Sequence, residues 1–370
     1  MTHIVVLGGG YAGLLAAKLT AKRTNARVTL INAGDRFVER VRLHQLASGQ
    51  ALRELPLAGL LRGTGVELVV GKVIGIDAEN RVVRLHGIPE TVGYDALFYA
   101  LGSRADLDSV PGAAEHAHTV ADAASAARLR ERVREGGVVA VVGGGLTGIE
   151  TATELAETMP GLKVRLVTGG RFGAAFSENG RRYLRRAFAR LGIEVTDQVR
   201  VGEVQADGVR LSDGGHVAAD TVIWTTGFRV PELARDAGFA VDPAGRMIVD
   251  ETLRSVSHPE VYAIGDAAAA RRPDGQELRM ACATGLPTAA QAVGAFADRL
   301  AGRDPKPLRF RYFTQCVSLG RHDGLIQFVS ADDSPVGTVL TGRVAALVKE
   351  SIVRGTVSLE RHPVLAKLVS

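Results

Sequence analysis

A chain of 370 residues is long enough for two or three compact units, and 46% hydrophobic against 23% charged residues exclude a disordered polymer. Sparse aromatics (5%) favour helix-flanked parallel sheets over an aromatic-rich sandwich, and a net charge of +5 with no basic tract interleaved with aromatics excludes nucleic acid as the expected partner while suiting anionic phosphates. The two cysteines, Cys282 and Cys316, are too far apart for a CxxC pair or a disulfide framework, no cluster of metal ligands is visible, and no apolar run approaches the ~18 residues of a spanning helix.

The opening MTHIVVLGGG enters a buried strand at once, His3 to Leu7, so no secretory leader is expected and the chain is expected in the cytoplasm. Gly8-Gly9-Gly10-Tyr11-Ala12-Gly13 follows, then a helix pattern from Ala12 to Lys22 and a strand from Arg27 to Ile31. This is GxGxxG in its strand–turn–helix setting. The first glycine allows the tight turn, the second lets a pyrophosphate approach the backbone, and the third lets helix pack on strand. Asn32 stands where an acidic residue is expected; its side-chain carbonyl can still accept from a ribose hydroxyl, with Asp35 as a substitute or a plain turn residue. Val66 to Ile76 and Arg81 to Leu85 alternate like strands of a small antiparallel sheet. Tyr94 to Ala100 forms a strand ending in Leu101-Gly102-Ser103, and a loop near Asp106 to Gly112 leads onward.

The first pattern then recurs. Gly137 to Val142 is a buried strand, Gly143-Gly144-Gly145-Leu146-Thr147-Gly148 a second GxGxxG, Leu146 to Thr158 a helix stopped by Met159-Pro160-Gly161, and Lys163 to Val167 the next strand. The acidic residue is again missing, replaced by Thr168-Gly169-Gly170-Arg171. Arg171 could receive a 2′-phosphate and so favours NADPH over NADH, the alternative being a solvated turn arginine. Thr221 to Thr225 ends in Thr226-Gly227, Val261 to Ile264 runs into Gly265-Asp266, a helix spans roughly Thr288 to Ala301, and mixed strand and helix follow Arg303. The expected fold is α/β, with two Rossmann-like three-layer domains and a small C-terminal α+β region. The first domain takes 1–108 and 229–302, the second 109–228, and the C-terminal region 303–370. Two dinucleotide turns without other catalytic machinery point to electron transfer between two nucleotides.

Those turns, with Ala100-Leu101-Gly102, Thr226-Gly227, Gly148-Ile149-Glu150 and Ala263-Ile264-Gly265-Asp266-Ala267, resemble the two-dinucleotide-binding flavoproteins of the pyridine nucleotide-disulfide oxidoreductase superfamily. Within it the chain is most similar to type II NADH dehydrogenases and apoptosis-inducing-factor-like quinone reductases. The resemblance implies FAD on the first turn and NADPH or NADH on the second. Gly102, Gly227, Gly265 and Asp266 would join the cofactor contacts, Asp266 on the ribityl or phosphate part of FAD. Thr284 to Gln291 resembles the helix start facing the flavin pyrimidine edge, which puts Thr288 among the FAD contacts. Glu150 resembles a glutamate at the flavin–nicotinamide contact, able to orient the carboxamide or relay a proton; a helix-face salt bridge is the plain alternative.

Arg42 and His44 fall where the family approaches the flavin, Arg42 as a cofactor contact and His44 as a substrate contact, against a structural salt bridge or a core histidine. The paired cysteines of the disulfide reductases are missing from Glu39 to Gln45, which disfavours thiol–disulfide chemistry. Cys282 reads as a small core residue rather than a flavin neighbour. Of the quinone motif AQxxxQ the chain keeps Gln291 and has Ala295 in place of the second glutamine. In the tail, Val344 to Val353 and Val364 to Val369, with Arg343, Lys349, Arg354 and Lys367, allow peripheral contact with the inner face of the cell membrane, though packing on the body or on a partner in a homodimer is the preferred reading. The expected reaction is hydride transfer from NAD(P)H to FAD and then electron transfer to a small quinone-like acceptor. The rivals are a reductase of a small redox protein such as ferredoxin, and a non-catalytic NAD(P)H-responsive binder.

Overall fold

A computed structural model describes residues 1–87 and 89–361, the side chain of Cys282 excepted. Its first sheet is parallel, with strands in the order Val261–Ala263, Ala96–Tyr99, His3–Leu7, Arg27–Asn32, Val66–Val70. The His3–Leu7 strand is central, and Ile4 to Leu7 are all 0% exposed, which is why it reads as an unbroken apolar run rather than an alternating one. The Tyr11–Arg23 helix is buried from Gly13 through Thr20, on every side and not along one stripe, because the Cys282–Leu300 helix packs over it from the far side.

The second sheet repeats the design, in the order Glu194–Asp197, Leu162–Thr168, Gly137–Val142, Thr221–Trp224, Ala117–His118, all parallel. The chain crosses between the two sheets through an antiparallel pair, Arg104–Ala105 with Phe228–Arg229, clamped by an Arg229 Nε–Asp106 Oδ1 bridge of 2.9 Å. A third, antiparallel sheet of Thr314–Ser318, Gly324–Val329 and Pro335–Thr341 leads into the terminal Gly342–Arg361 helix.

Three expectations need correction. Val66 to Ile76 is not one antiparallel stretch: Val66–Val70 is the parallel edge of the first sheet, and only Lys72–Asp77 joins Val82–His86 and Thr91–Gly93 in the small sheet. A half-exposed edge strand alternates as an antiparallel one does, so periodicity cannot separate them. The long helix starts at Cys282 rather than near Thr288, carrying Pro287 inside it. Finally, the Leu43–Ala47 helix, within the first unit by sequence, packs into the core of the second, alongside Ala126, Leu129, Ile149 and the C-terminal Val317 and Leu325.

Candidate active site

The two glycine turns have one geometry. Gly8 has φ +99° and Gly143 φ +123°, conformations that favour glycine. A Cβ on Gly8 would lie 2.4 Å from the Ala100 carbonyl oxygen, and one on Gly143 2.6 Å from Thr225 Oγ1. A Cβ on Gly13 would meet the Gly8 oxygen at 1.9 Å, and one on Gly148 the Gly143 oxygen at the same distance. The second glycine is the opposite case: at Gly10 and at Gly145 a Cβ would meet nothing within 4 Å. That open cradle is where a pyrophosphate needs to come close to the backbone. No side chain caps the helices that start after Gly10 and Gly145, whereas Asp122 and Ser177 cap the Ala123–Val133 and Glu178–Arg190 helices. The two turns thus keep their helix ends for an anion. Tyr11, Ala12, Leu146 and Thr147, all half-buried, form the first helical turns there.

Asn32 is engaged by the turn itself. Its Oδ1 accepts from the Gly9 N–H at 2.8 Å and its Nδ2 donates to the Gly34 oxygen at 2.8 Å, so the carbonyl expected on a ribose hydroxyl braces the turn itself. Thr168 stands at the matching strand end, where a Cβ on Gly144 would meet its Oγ1 at 2.6 Å. Arg171 is exposed just beyond, and Arg200, which sequence did not single out, is exposed with its Cγ 3.8 Å from where a Gly169 Cβ would lie.

Behind the first turn the returning chain completes a polar end. Gly265, at φ +65°, donates its N–H to Thr288 Oγ1 at 3.1 Å, and a Cβ on it would come 3.3 Å from that of Ala12. Asp266 Oδ2 accepts from Ser103 Oγ at 2.6 Å. Arg40 Nη1 donates to the same hydroxyl at 3.2 Å, lies 3.8 Å from the Asp266 carboxylate, and would stand 4.0 Å from a Cβ on Gly102. Arg42, expected by resemblance where the family approaches the flavin, does not join this group. Arg40 to Arg42 is a single 3-10 turn, so residues two apart point to different sides. Arg42 turns away, to Glu39 Oε1 at 3.0 Å and Glu350 Oε1 at 2.8 Å. Gln291 has a structural partner: its Nε2 donates to the Arg309 oxygen at 2.8 Å and its Oε1 accepts from the Arg309 N–H at 2.7 Å, a clip that ties the helix to the segment after it. At Gly227, φ +74°, a Cβ would lie 3.0 Å from that of Asp106, placing this glycine at the crossing between the sheets.

Glu150 lies at a third place, where four parts of the chain meet. Its Oε1 accepts from the Ser318 N–H at 3.0 Å and contacts Lys349 Nζ of the terminal helix; His44 Nδ1 lies 3.8 Å from its other oxygen. Arg321 Nη2 pairs with Glu154 Oε2 at 2.8 Å one turn further along, and Gln50 also donates to Glu154. His44 is 4% exposed and sits beneath Glu150, so it is a core histidine and not a surface open to substrate. Burial first, then the charges of Lys349, Arg321 and Arg42, hold its pKa well below the usual value and keep the imidazole neutral. Burial, with Arg42 alongside, pulls the Lys349 ammonium down to about 7. Above this cluster opens a cavity of about 470 Å³, walled by the Glu39–Arg53 segment, the Ser318–His322 loop and the terminal helix. Its size matches small-molecule pockets.

Lys349, Arg321 and Arg40 were not legible as site residues, being lone cations in unremarkable surroundings. Cys316 is half-buried with its thiol pushed up by burial, and the Cys282 side chain, like Val364 to Val369 with Lys367, lies outside the described residues. Among the described residues no group of side chains is arranged to hold a metal, and no helix is long and apolar enough to cross a membrane. On the terminal helix Ala345 and Val357 pack inward, while Val344, Leu347, Val348 and Ile352 face outward, 58%, 68%, 38% and 47% exposed.

A family model described as pyridine nucleotide-disulphide oxidoreductase matches residues 2–294. An NADH dehydrogenase-like protein of Mycobacterium tuberculosis is 32% identical over 345 residues, covering 86% of each chain. A demethylphylloquinone reductase of Synechocystis is 26% identical over 381 residues, covering 95% of this chain and 91% of that protein. The solved sulfide:quinone oxidoreductase of Aquifex aeolicus shares the fold, with a TM-score of 0.81 over 98% of this chain and 92% of that one at 20% identity.

Proposed function

The chain belongs to the pyridine nucleotide-disulphide oxidoreductase family, and from that premise we propose that it passes electrons from NAD(P)H through FAD to a quinone. It is an FAD-dependent NAD(P)H dehydrogenase; what is proposed is the acceptor and the residues that serve it. When bound, FAD supplies the carrier that takes two electrons from the nicotinamide and gives them up again. The Gly8–Gly13 turn and the Tyr11–Arg23 helix end would hold its pyrophosphate, and the Arg40–Ser103–Asp266 chain its polar end. The Gly143–Gly148 turn would hold the nicotinamide nucleotide in the same manner.

One observation carries the quinone reading: the cavity of about 470 Å³ lies over the Glu150–Lys349 contact, so the space for an acceptor and a buried proton donor coincide. Reduction of a quinone takes two electrons and two protons. The donor's hydride brings one proton, and Lys349, its ammonium pulled down to about 7 by burial with Arg42 alongside, is suited to deliver the other. His44, held neutral beneath, keeps a second positive charge out of that pair. The Synechocystis relative, named for reduction of a quinone, supports the same reading. Thiol–disulfide exchange is disfavoured by the absence of paired cysteines between Glu39 and Gln45. The outward row Val344, Val348 and Ile352, which lies off the cavity wall, is proposed as the face that meets a membrane surface. Stopped-flow mixing of the FAD-loaded protein with NADH or NADPH, followed by quinones, tests the reading. Flavin absorbance is expected to bleach with donor and recover within the turnover time with a quinone. Recovery no faster with quinones than with dioxygen would remove the acceptor assignment.

A further inference from the structure

The cavity carries more positive charge than a neutral quinone can use. Arg42, Arg53, Arg321, Arg343, Lys349 and Arg354 line it, against the carboxylates of Glu39 and Glu350 among its described lining residues. Those carboxylates are already engaged: both pair with Arg42, and Glu350 pairs with Arg354 as well. Arg321 and Lys349 are held from below by Glu154 and Glu150. Arg53 and Arg343 are left with no hydrogen bond or ion pair to any described residue, and both are exposed. They come from separate elements, an extended segment and the start of the terminal helix, and converge on one opening. The first turn of that helix has no acidic residue, so the helix dipole adds to the charge of Arg343 instead of offsetting it.

Like charges gathered at an opening repel each other, and a neutral ring offers them nothing in return. A carboxylate, sulfonate or phosphate group does, because guanidinium groups donate paired, charge-assisted hydrogen bonds to such oxygens. The same walls hold an apolar strip, Val41, Leu52, Leu347 and Val353, for a ring. We propose that the acceptor is an aromatic quinone bearing an anionic substituent, which Arg53 and Arg343 read at the cavity mouth while the ring lies inward toward Lys349. The inference rests on the quinone reading above and narrows it. The stoichiometry is unchanged: NAD(P)H gives a hydride, solvent gives one proton, and the quinone leaves as its hydroquinone with the anionic group intact.

The test uses full-length, FAD-loaded protein without lipid or detergent. With saturating NAD(P)H, kcat/KM is measured for 1,4-naphthoquinone-2-sulfonate and for 2-methyl-1,4-naphthoquinone, in the wild type and in Arg53→Gln/Arg343→Gln. The two quinones differ in potential, but that difference cancels when their ratio is compared between proteins. The sulfonate-to-methyl ratio is expected to fall about tenfold in the double variant, and about as much for wild type in ~0.5 M salt, since exposed charges are screened. Both residues are exposed and make no ion pair or hydrogen bond with any described residue, so the described fold does not depend on them. A ratio that stays within twofold overturns the proposal. So does a double variant that keeps the ratio but loses binding to anionic phospholipid vesicles, which would assign the arginines to a lipid surface. If neither quinone is reduced although NAD(P)H still bleaches the flavin, the quinone reading itself fails and takes this inference with it.

Discussion

Over the first glycine turn the returning Gly265–Asp266 segment and the Cys282–Leu300 helix close in, with Gly265 and Gly285 both against Ala12. Over the second turn Thr225 braces Gly143 and Gly148 from behind, and the neighbouring strand end carries exposed Arg171 and Arg200. The backbone is the same in both places, because GxGxxG fixes turn, cradle and helix packing locally. On the proposed assignment, with FAD at the first turn and the nicotinamide nucleotide at the second, the surroundings separate the roles. An enclosed site suits a cofactor that stays, and an open one suits a donor that arrives and leaves on every turnover.

Four substitutions would break or sharpen that contrast. Gly10→Val fills the first cradle, and the purified protein is expected to be colourless; a variant retaining full yellow absorbance would refute the assignment of FAD to that turn. Gly145→Val fills the second cradle, so flavin content should survive while reduction by NAD(P)H slows roughly a hundredfold, a loss of the scale expected when a positioned phosphate is displaced. Equal loss of flavin in both variants would erase the distinction between the sites. Lys349→Met addresses the acceptor side, which neither turn controls. Because the ammonium pKa is lowered to about 7, its proton is present below neutrality and lost above it. Flavin reoxidation by quinone should therefore slow as pH rises through 7 in the wild type. The variant should show a flat profile and run about tenfold slower at low pH, with donor-driven reduction little changed. An unchanged pH profile would remove Lys349 from proton delivery. The smallest effect belongs to Arg171→Ala: an exposed cation contributes modestly, and the KM for NADPH is expected to rise about fivefold with that for NADH nearly constant. Parallel changes for both donors would leave no role for this residue in choosing between them.

Much of the site was legible in the linear order of residues, and the reason differs from residue to residue. Gly8, Gly10 and Gly13 could be assigned separate tasks because each task is a steric demand made within six residues. Asp266 and Gly265 entered through the family resemblance of Ala263 to Ala267, yet Arg40 and Ser103, which the fold sets beside Asp266, did not, since nothing local marks one arginine of Arg40 to Arg42 over another. Asn32 and Gln291 had the chemistry for a ligand, but their amides are taken by the backbone at Gly9 and Arg309, and a sequence does not show which hydrogen bonds are already made.

The order of residues by itself determined two strand–turn–helix junctions, the parallel sheets they begin, and hence a chain that handles two dinucleotides. Those features rest on apolar runs and on backbone angles open only to glycine, and both act over a few neighbouring residues. Tertiary structure decided the rest. It brought Lys349 of the last helix to Glu150, buried His44 beneath them, and gathered Arg53 and Arg343 at one cavity. Each of these depends on packing between segments far apart in the chain, where burial and charge are set by whichever element arrives, and no local pattern encodes that arrival.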